Sequence, residues 1–355
     1  MRVPLVDLKA QYLSIKDEVD QAVARVLESG NYVMGQEVES FEEEWAEYCG
    51  RAKYCVGVSS GTDALYLTLK ALPEVFTDVL TTPLTFFATT QAIIQAGKRP
   101  KFVDVECDGN IDLMKHPQTS TALVVHMYGQ PVYVPSNYPS SIIEDSAQAH
   151  GIPLKGTAAC YSFYPTKNLS AVGQAGAVVT NDKDLADTIR ELRTYGERER
   201  FVHYSLTGNH RMDELQAAIL RAKLPHLSQW TMLRQSIAGA YDEQLEGLLG
   251  ISLIPRSPEH VCHIYGILMA STDKRASLVS YLNDLGVSTG IRYPVPMHLQ
   301  PALSFLGYKK GDFPVAEGWA DTVLNLPIYP EMSMEAVSYV TESVKEWAIK
   351  EAGLK

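Results

Sequence analysis

The chain has 355 residues, a hydrophobic fraction of 46 % and a formal net charge of -11. This length exceeds that of one ordinary compact core and predicts a large domain followed by a smaller one. The acidic charge argues against nonspecific binding to nucleic acid, and no apolar run is long enough to cross a bilayer. The N-terminus lacks the apolar core of a signal peptide, and the five cysteines show no CxxC pair or metal-site spacing. We therefore expect a cytoplasmic protein with reduced thiols and no bound metal.

Apolar periodicity predicts helices and strands that alternate through most of the chain. The predicted helices cover residues 15–28, 38–48, 63–71, 184–192, 213–224 and 227–248. The predicted strands cover residues 54–58, 79–81, 101–105, 122–126, 141–145, 160–163 and 176–180. Short apolar strands mixed with helices indicate an α/β sheet covered on both faces. We expect a large domain over residues 1–235 and a smaller C-terminal α+β domain over residues 236–355.

The first segment with chemical potential is a strand, a turn of small residues and a helix. The turn contains Ser60, Gly61 and Thr62. Free backbone N–H groups and the positive end of a helix dipole favour phosphate binding there. Gly61 lets the backbone approach a ligand closely, and Thr62 adds a hydroxyl donor. The alternative is an ordinary N-cap, in which Ser60 or Thr62 caps a helix that continues from Asp63.

Two other segments place an ionisable side chain just after an apolar strand. Asp145 ends a predicted strand, where α/β proteins bind ligands, so its carboxylate is placed to hold a cationic nitrogen. Its alternative role is to cap the next helix. Lys167 lies in a loop with hydroxyl and aromatic residues, and a lysine beside apolar walls can lose its proton and attack a carbonyl. The alternative for Lys167 is a solvated loop lysine.

An aromatic pair and a polar loop complete the set. Phe86 and Phe87 follow a predicted strand, where one ring is placed to stack on a flat cofactor and the other to pack in the core. The loop over residues 208–212 contains Asn209, and its alternative role is a local cap. Together these segments supply what pyridoxal phosphate requires: an amine, a carboxylate for the pyridinium nitrogen, an aromatic ring and phosphate donors.

Five motifs then occur along the chain: SGTDAL at 60–65, IEDSAQAHG at 143–151, SFYPTKNL at 162–169, GAVVTND at 176–182 and NHRMDELQAA at 209–218. They resemble, in the same order, motifs of the DegT/StrS-type sugar aminotransferases. The resemblance extends from residue 4 to residue 330. It implies an aspartate-aminotransferase-type (fold type I) large domain with a mostly parallel central sheet. It also implies pyridoxal 5'-phosphate as cofactor, glutamate as the usual amino donor, and a homodimer with active sites shared between subunits.

The resemblance assigns roles around the cofactor ring. Lys167 matches the Schiff-base lysine that also carries protons. Asp145 matches the carboxylate that pairs with the pyridinium nitrogen. Gln148 matches a residue that lies against the ring or its hydroxyl group, and Phe86 matches the stacking aromatic residue.

The resemblance also assigns the phosphate contacts. Gly61, Thr62 and Ser162 match the residues that bind the cofactor phosphate within one subunit. Asn209 matches an asparagine that reaches the phosphate of the neighbouring subunit. If this match is correct, each active site needs residues from two copies of the chain.

The stretch over residues 286–301 resembles family members that aminate position 3 of dTDP- or UDP-linked keto-hexoses. Tyr293 and His298 in this stretch, together with Tyr32, are candidate substrate contacts. Arg292 stands where many such members have histidine. We expect a transaminase that acts on a nucleotide-linked keto-hexose at C3, and the alternative within the family is amination at C4.

Two other functions compete with this interpretation. Sugar dehydratases on the same fold replace the Schiff-base lysine with histidine, and Lys167 argues against that reaction. A regulatory homologue that binds the cofactor without turnover is the second alternative. It stays open because the connections over residues 72–79 and 132–141 are shorter than the family pattern.

Overall fold

The computed structural model describes residues 1–75, 77–116, 119–136, 138 and 140–353. Residues 76, 137 and 139 belong to the two shortened connections, so those parts of the prediction lie outside the described residues. No helix within the described ranges combines the length and the apolar character that spanning a membrane requires.

Helices and strands alternate along the described chain, as periodicity predicted. The α-helices are α1 Leu8–Ser14, α2 Lys16–Ser29, α3 Gln36–Tyr48, α4 Gly61–Ala71, α5 Phe87–Gln95, α6 Lys183–Arg193, α7 Glu214–Lys223, α8 Leu227–Leu245, α9 Thr272–Asp284, α10 Pro314–Thr322 and α11 Met334–Glu351. The β-strands are β1 Tyr54–Val58, β2 Asp78–Thr81, β3 Arg99–Phe102, β4 Thr121–Val125, β5 Ser141–Asp145, β6 Ala158–Ser162, β7 Gly176–Thr180, β8 Glu197–Glu199, β9 Val202–His203, β10 Ile251–Leu253, β11 Tyr265–Met269 and β12 Val323–Leu326. The strands predicted over residues 54–58, 141–145 and 176–180 are confirmed at both ends.

The large sheet has the strand order β1-β7-β6-β5-β4-β2-β3 within the described residues. Neighbouring strands from β6 to β3 pair in parallel, whereas β7 pairs antiparallel with both β6 and β1. Because two antiparallel steps cancel, β1 runs in the same direction as the parallel strands. The mostly parallel sheet is therefore confirmed, and the chain leaves β1, β2, β4, β5 and β6 at one common edge.

The prediction for the strand over residues 101–105 is wrong by several residues. The observed strand β3 covers Arg99–Phe102 at the edge of the sheet, where a proline such as Pro100 is tolerated. The Asp104 carboxylate instead accepts hydrogen bonds from the backbone N–H groups of Val315 and Ala316, each at 2.9 Å. A distant cap on α10 therefore replaces the expected end of the strand.

The strands β10, β11 and β12 form a smaller antiparallel sheet. Helices α8, α9 and α11 share its core, which includes the fully buried side chains of Tyr241, Leu278, Leu324 and Val340. The predicted domain boundary at residue 235 lies within α8 and stays a prediction. This smaller sheet supplies a second group of residues to the cavity described next.

Candidate active site

A cavity of about 450 Å³ opens at the common edge of the large sheet. The predicted site residues that line it are Gly61, Thr62, Phe86, Asp145, Gln148, Ser162, Lys167 and Tyr293. We call Gly61, Asp145, Ser162 and Lys167 the large-sheet wall, since they follow or end its strands. We call His263, Arg292 and Tyr293 the C-terminal wall. A surface cleft of about 480 Å³ beside α6 is lined mainly by charged residues and by none of the predicted site residues.

The segment predicted to bind phosphate begins α4. Ser60 is the N-cap, and its hydroxyl oxygen accepts a hydrogen bond from the Asp63 backbone N–H at 3.1 Å. The capping interpretation is therefore correct for Ser60. It does not exclude a phosphate site, because the N–H groups of Gly61 and Thr62 in the first helical turn have no acceptor within the helix.

Close packing brings the start of α4 against the end of β6. A Cβ atom at Gly61 would lie 2.5 Å from the Ser162 Cβ atom, so glycine is needed at this position. A Cβ atom at Gly176 would collide with the Ser60 carbonyl group. Because both residues lack a side chain, the three segments that carry Gly61, Ser162 and Gly176 meet at one corner of the cavity.

Asp145 ends β5 and is almost fully buried. One carboxylate oxygen accepts a hydrogen bond from the Thr89 hydroxyl at 2.8 Å, and the other accepts one from the Ala147 N–H at 3.2 Å. Burial raises the pKa of Asp145, while Thr89, Ala147 and the charge of Lys167 oppose that rise. No helix lies between residue 145 and β6, all of which is described, so the proposed cap of a following helix is wrong.

Lys167 lies in the loop after β6 and is partly buried, so it is not a solvated loop lysine. Its backbone N–H donates to the Tyr164 carbonyl at 2.8 Å and tightens the turn. Burial lowers the pKa of Lys167 to about 8, the charge of Asp145 opposes this, and the charge of Arg292 adds to it. A lowered pKa leaves more of the amine neutral near neutral pH, which favours its use as a nucleophile.

The two neighbouring phenylalanines separate as expected for a core residue and a cavity residue. Phe87 packs partly buried against the core. Phe86 is 56 % exposed and lines the cavity, with its ring centroid 5.7 Å from that of Tyr293. The geometry leaves one face of the cavity aromatic, and the stacking role of Phe86 stays a prediction.

Gln148 connects the two walls. Its Oε1 atom accepts a hydrogen bond from the Tyr128 backbone N–H at 2.8 Å, and its Nε2 atom donates to the Tyr293 hydroxyl at 3.2 Å. The Tyr128 hydroxyl donates to the Arg292 carbonyl and accepts from Asn325 Nδ2 at 3.2 Å. Gln148 therefore orients Tyr293, a role additional to the predicted contact with the cofactor.

Comparison with known proteins identifies the family. The DegT/DnrJ/EryC1/StrS aminotransferase family matches residues 13–345. The chain belongs to this family.

Individual relatives resemble the chain along nearly its whole length. The dTDP-3-amino-3,4,6-trideoxy-alpha-D-glucose transaminase of Streptomyces venezuelae is 39 % identical, over 98 % of this chain and 96 % of the relative. A "Pleiotropic regulatory protein" of Geobacillus stearothermophilus is 37 % identical, over 98 % of this chain and 99 % of the relative. The crystal structure of S. venezuelae DesV in complex with a ketimine intermediate has a TM-score of 0.91 at 39 % identity and covers 98 % of both chains. These matches confirm the predicted aminotransferase fold.

Three predicted residues of this family member do not line the cavity. Asn209 is exposed, and its Oδ1 atom accepts a hydrogen bond from Arg211 Nε at 2.8 Å. Tyr32 is 50 % exposed, and its backbone carbonyl accepts from the Glu214 N–H. Both residues lie on the surface of the single chain, so any part that they take in a shared site needs a second copy.

His298 does not reach the cavity, and the structure gives it another role. Its side chain is buried, and Nε2 lies 3.0 Å from a carboxylate oxygen of Glu317. Its ring also packs edge-on against Phe313, with centroids 4.8 Å apart. In this structure His298 makes a core contact, because the short helix over Met297–Leu299 directs the imidazole inward, and the expected substrate contact stays a prediction.

Sequence reasoning missed two histidines near Lys167. His263 lines the cavity, and its Nδ1 atom lies 3.0 Å from Asn168 Oδ1. Burial, with the charge of Lys167, holds the pKa of His263 well below its usual range. His150 lies in the matched motif over residues 143–151, and its Nε2 atom lies 2.9 Å from the Ser162 carbonyl oxygen. The motif was a signal for His150, but no local pattern pointed to His263.

Proposed function

We propose that this protein is a pyridoxal-phosphate-dependent aminotransferase that transfers an amino group from glutamate to a nucleotide-linked keto-hexose. The proposed substrate is dTDP- or UDP-linked, and the proposed position is C3. The observation that supports this most is the position of Lys167 and Asp145 in one cavity, where burial lowers the pKa of the lysine to about 8.

The residues of the cavity fit the proposed cofactor. The first turn of α4 supplies N–H groups and the Thr62 hydroxyl for a phosphate. Asp145 supplies a buried carboxylate for a ring nitrogen, and Lys167 supplies an amine for the aldehyde. When bound, pyridoxal phosphate supplies an electron sink for the carbon that loses a proton.

Each protein group in the cavity has its own role in the proposed reaction. Thr89 and the Ala147 N–H hold the Asp145 carboxylate in place, so its negative charge can keep a ring nitrogen protonated. The Lys167 amine lies in the cavity, where it could take and return a proton. Phe86 covers the cavity and reduces access of water to the reacting atoms.

The proposed active unit is a homodimer with shared sites. Asn209 follows an exposed stretch that includes Phe201 and Leu206, which are 77 % and 96 % exposed. Large exposed apolar side chains are typical of a surface that another chain covers. In the proposal, that covering chain is a second copy, and Asn209 contacts its cofactor phosphate. The cytoplasmic location predicted from the sequence stays a prediction.

A regulatory protein without turnover is the second candidate function. The relative from Geobacillus stearothermophilus is named a pleiotropic regulatory protein, which favours this regulatory function. Against it, a regulatory binding protein has no need for a lysine with a lowered pKa beside a buried carboxylate.

The absorbance spectrum of the purified protein with pyridoxal phosphate tests the cofactor, and a substrate panel tests the reaction. We expect a band of lysine-bound cofactor that glutamate abolishes and a keto-sugar restores. dTDP- and UDP-linked 3-keto and 4-keto hexoses make up the panel, and NMR of the product locates the new amine. Cofactor binding with no response to glutamate or to any keto-sugar would support the regulatory candidate. A product aminated at C4 would correct the proposed position.

A further inference from the structure

Arg292 is a cation of the C-terminal wall that the proposed cofactor chemistry does not use. It is partly buried and lines the cavity together with Lys167, His263 and Tyr293. Within the described residues its guanidinium group makes no hydrogen bond and no ion pair, although its charge reaches Lys167. A guanidinium that lines a cavity and has no anion beside it is placed to bind an anion that arrives with a ligand.

Among the described residues that line the cavity, no carboxylate is left to balance the charge of Arg292. Asp145 is the one carboxylate among the described lining residues. It already accepts hydrogen bonds from Thr89 and Ala147 and interacts with the charge of Lys167. The proposed cofactor would engage Asp145 and Lys167 further. Arg292 would then be the remaining cation facing the space left for substrate.

Hydrogen bonds that involve residues of both sheets, or residues next to them, hold the backbone near Arg292 in place. The Tyr128 hydroxyl donates to the Arg292 carbonyl and is itself held by Asn325 of β12. The next side chain, Tyr293, accepts a hydrogen bond from Gln148, which follows β5. These bonds fix the point from which the Arg292 side chain extends, which removes the backbone part of the entropic cost of binding.

A small cavity and an unused hydrogen-bond acceptor lie beside Arg292. Asn325 is fully buried, and its Oδ1 atom has no partner among the described residues. A small cavity of about 20 Å³ is lined by Asn325, Arg292 and His263. A Cβ atom at Gly290 would lie 3.8 Å from Asn325 Oδ1 and 3.9 Å from Arg292 Nη1, so the missing side chain keeps this space open. An unused acceptor therefore lines the same small cavity as Arg292.

The position of Arg292 separates it from the phosphate cradle. The cradle consists of the start of α4 and the end of β6, on the large-sheet wall. Arg292 belongs to the chain after α9, on the C-terminal wall. An anion held by Arg292 is therefore a second anion, distinct from the phosphate of the proposed cofactor.

We propose that Arg292 binds a carboxylate group of a substrate in this cavity. The planar fork of arginine matches a carboxylate through two parallel N–H···O bonds, which lysine cannot form. This inference rests on the proposed function, and it adds the substrate group that the C-terminal wall recognises. Two sources supply such a group: the carboxylates of the amino donor and the carboxylate of a hexuronic acid within the nucleotide sugar.

Calorimetric binding to the cofactor-loaded protein tests the inference without turnover. The probes are glutarate, which resembles the donor but cannot react, and the pair UDP-glucuronate and UDP-glucose, which differ in one carboxylate. The variants are Arg292→Gln and Arg292→Lys. We expect Arg292→Gln to weaken glutarate or UDP-glucuronate by at least about tenfold and UDP-glucose by less than about twofold. Arg292→Lys should recover only part of the loss, because it keeps the charge and loses the fork.

The probe that responds identifies the source of the carboxylate. The inference is wrong if wild-type protein binds neither carboxylate probe, if both lose less than tenfold in Arg292→Gln, or if UDP-glucose weakens in parallel. The cofactor absorbance and melting temperature of Arg292→Gln should match the wild type, which shows that the fold is intact. Glutamate turnover is measured separately. A protein that binds carboxylates through Arg292 without transaminating contradicts the proposed function and leaves this inference standing.

Discussion

The large-sheet wall and the C-terminal wall of the cavity arise in different ways. The large-sheet wall consists of residues that end a strand or directly follow one, such as Asp145 at the end of β5 and Lys167 after β6. The C-terminal wall consists of His263, just before β11, and of Arg292 and Tyr293, between α9 and a short helix. Parallel strands bring their carboxyl ends to one edge automatically, whereas the second wall depends on how two sheets pack.

The difference in origin corresponds to a difference in chemistry. The large-sheet wall carries a lysine with a lowered pKa, a buried carboxylate and the helix start that is proposed to hold a phosphate. The C-terminal wall carries a tyrosine and an arginine that has no ion pair among the described residues, and both suit recognition of a substrate. We therefore expect changes in the large-sheet wall to abolish the reaction and changes in the C-terminal wall to alter substrate affinity. The following predictions test that division.

Replacing Lys167 should have the largest effect. We expect Lys167→Ala to bind the cofactor without the absorbance of the lysine-bound form and to lose at least about a thousandfold in turnover, since no other amine lines the cavity among the described residues. Lys223 provides a matched control. It is also buried, and burial lowers its pKa to about 8, but it donates to Gln11 and Ser170 instead of lining the cavity.

We expect Lys223→Gln to keep the absorbance of the lysine-bound cofactor. The two spectra together separate position from pKa as the cause of reactivity. If Lys167→Ala kept the wild-type spectrum, the assignment of the lysine would be wrong. If both variants lost the band, a general disturbance of the fold would be the simpler explanation.

Replacing Asp145 should have the next largest effect. Asp145→Asn keeps the size of the side chain but removes the charge that would hold a ring nitrogen protonated, so we expect turnover to fall by about a hundredfold or more. The adjacent carboxylate of Glu144 is a control, because it faces His126 and the backbone of residues 155 and 156 instead of the cavity. Glu144→Gln should lower the melting temperature and have little effect on turnover. Normal turnover in Asp145→Asn would show that Asp145 makes local hydrogen bonds only and has no role in the reaction.

The pH dependence of cofactor binding should follow the amine of Lys167. Only the neutral amine attacks an aldehyde, and burial lowers the pKa of Lys167 to about 8. The rate at which cofactor-free protein captures pyridoxal phosphate should therefore fall about tenfold for each pH unit below 8 and level off above it. Stopped-flow absorbance between about pH 6 and pH 10 measures this rate. A rate that keeps rising to pH 10 would indicate an ordinary lysine.

The large-sheet wall was predictable because its residues lie beside strong local signals. Lys167 and Asp145 each follow a short apolar strand, and Gly61 lies in a turn of small residues before a helix. His263 and Arg292 carry no such local signal, since they reach the cavity only when the smaller sheet packs beside the large one. Two of the three predicted substrate contacts, Tyr293 and His298, were instead predicted from the stretch over residues 286–301.

Of these two residues, Tyr293 lines the cavity and His298 is buried in the core, and the substrate contact of each stays a prediction. Periodicity was similarly limited in the fold: it found the interior strands of the large sheet but shifted the edge strand β3. Asp104, which lies in the predicted strand, instead caps the distant helix α10. Contacts of this kind join residues far apart in the chain, and a window of neighbouring residues contains no information about them.

A mixing experiment extends the comparison to the partner subunit. Asn209→Ala alone should lower turnover about fivefold, by loss of one hydrogen bond to the phosphate. In a mixed dimer of Lys167→Ala and Asn209→Ala, a cross-subunit role places both lesions in one site and leaves the other intact. Random exchange should then restore about one quarter of wild-type activity, because half of the dimers are mixed and each has one working site.

A role for Asn209 within its own subunit predicts a different result. Each site of a mixed dimer would then carry one lesion, and mixing would give no activity above the average of the parents. Exchange of subunits is confirmed with two affinity tags. Absence of rescue after confirmed exchange would restrict Asn209 to its observed contact with Arg211.

The smallest effect on activity is expected at His298, which lies five residues from Tyr293. The His298 imidazole is buried and bonded to Glu317, whose carboxylate also accepts the Gly311 N–H at 2.7 Å. His298→Ala should therefore lower the free energy of unfolding by about 1–3 kcal/mol, since it removes one hydrogen bond to the buried carboxylate and the ring that packs against Phe313. KM for the nucleotide sugar should change less than about twofold.

Tyr293→Phe should have the opposite effect. It should raise KM several-fold without loss of stability, because it removes a hydroxyl at the cavity that Gln148 positions. Urea unfolding and steady-state kinetics on both variants measure the two quantities. A large rise in KM with unchanged stability in His298→Ala would instead support the predicted substrate contact of His298.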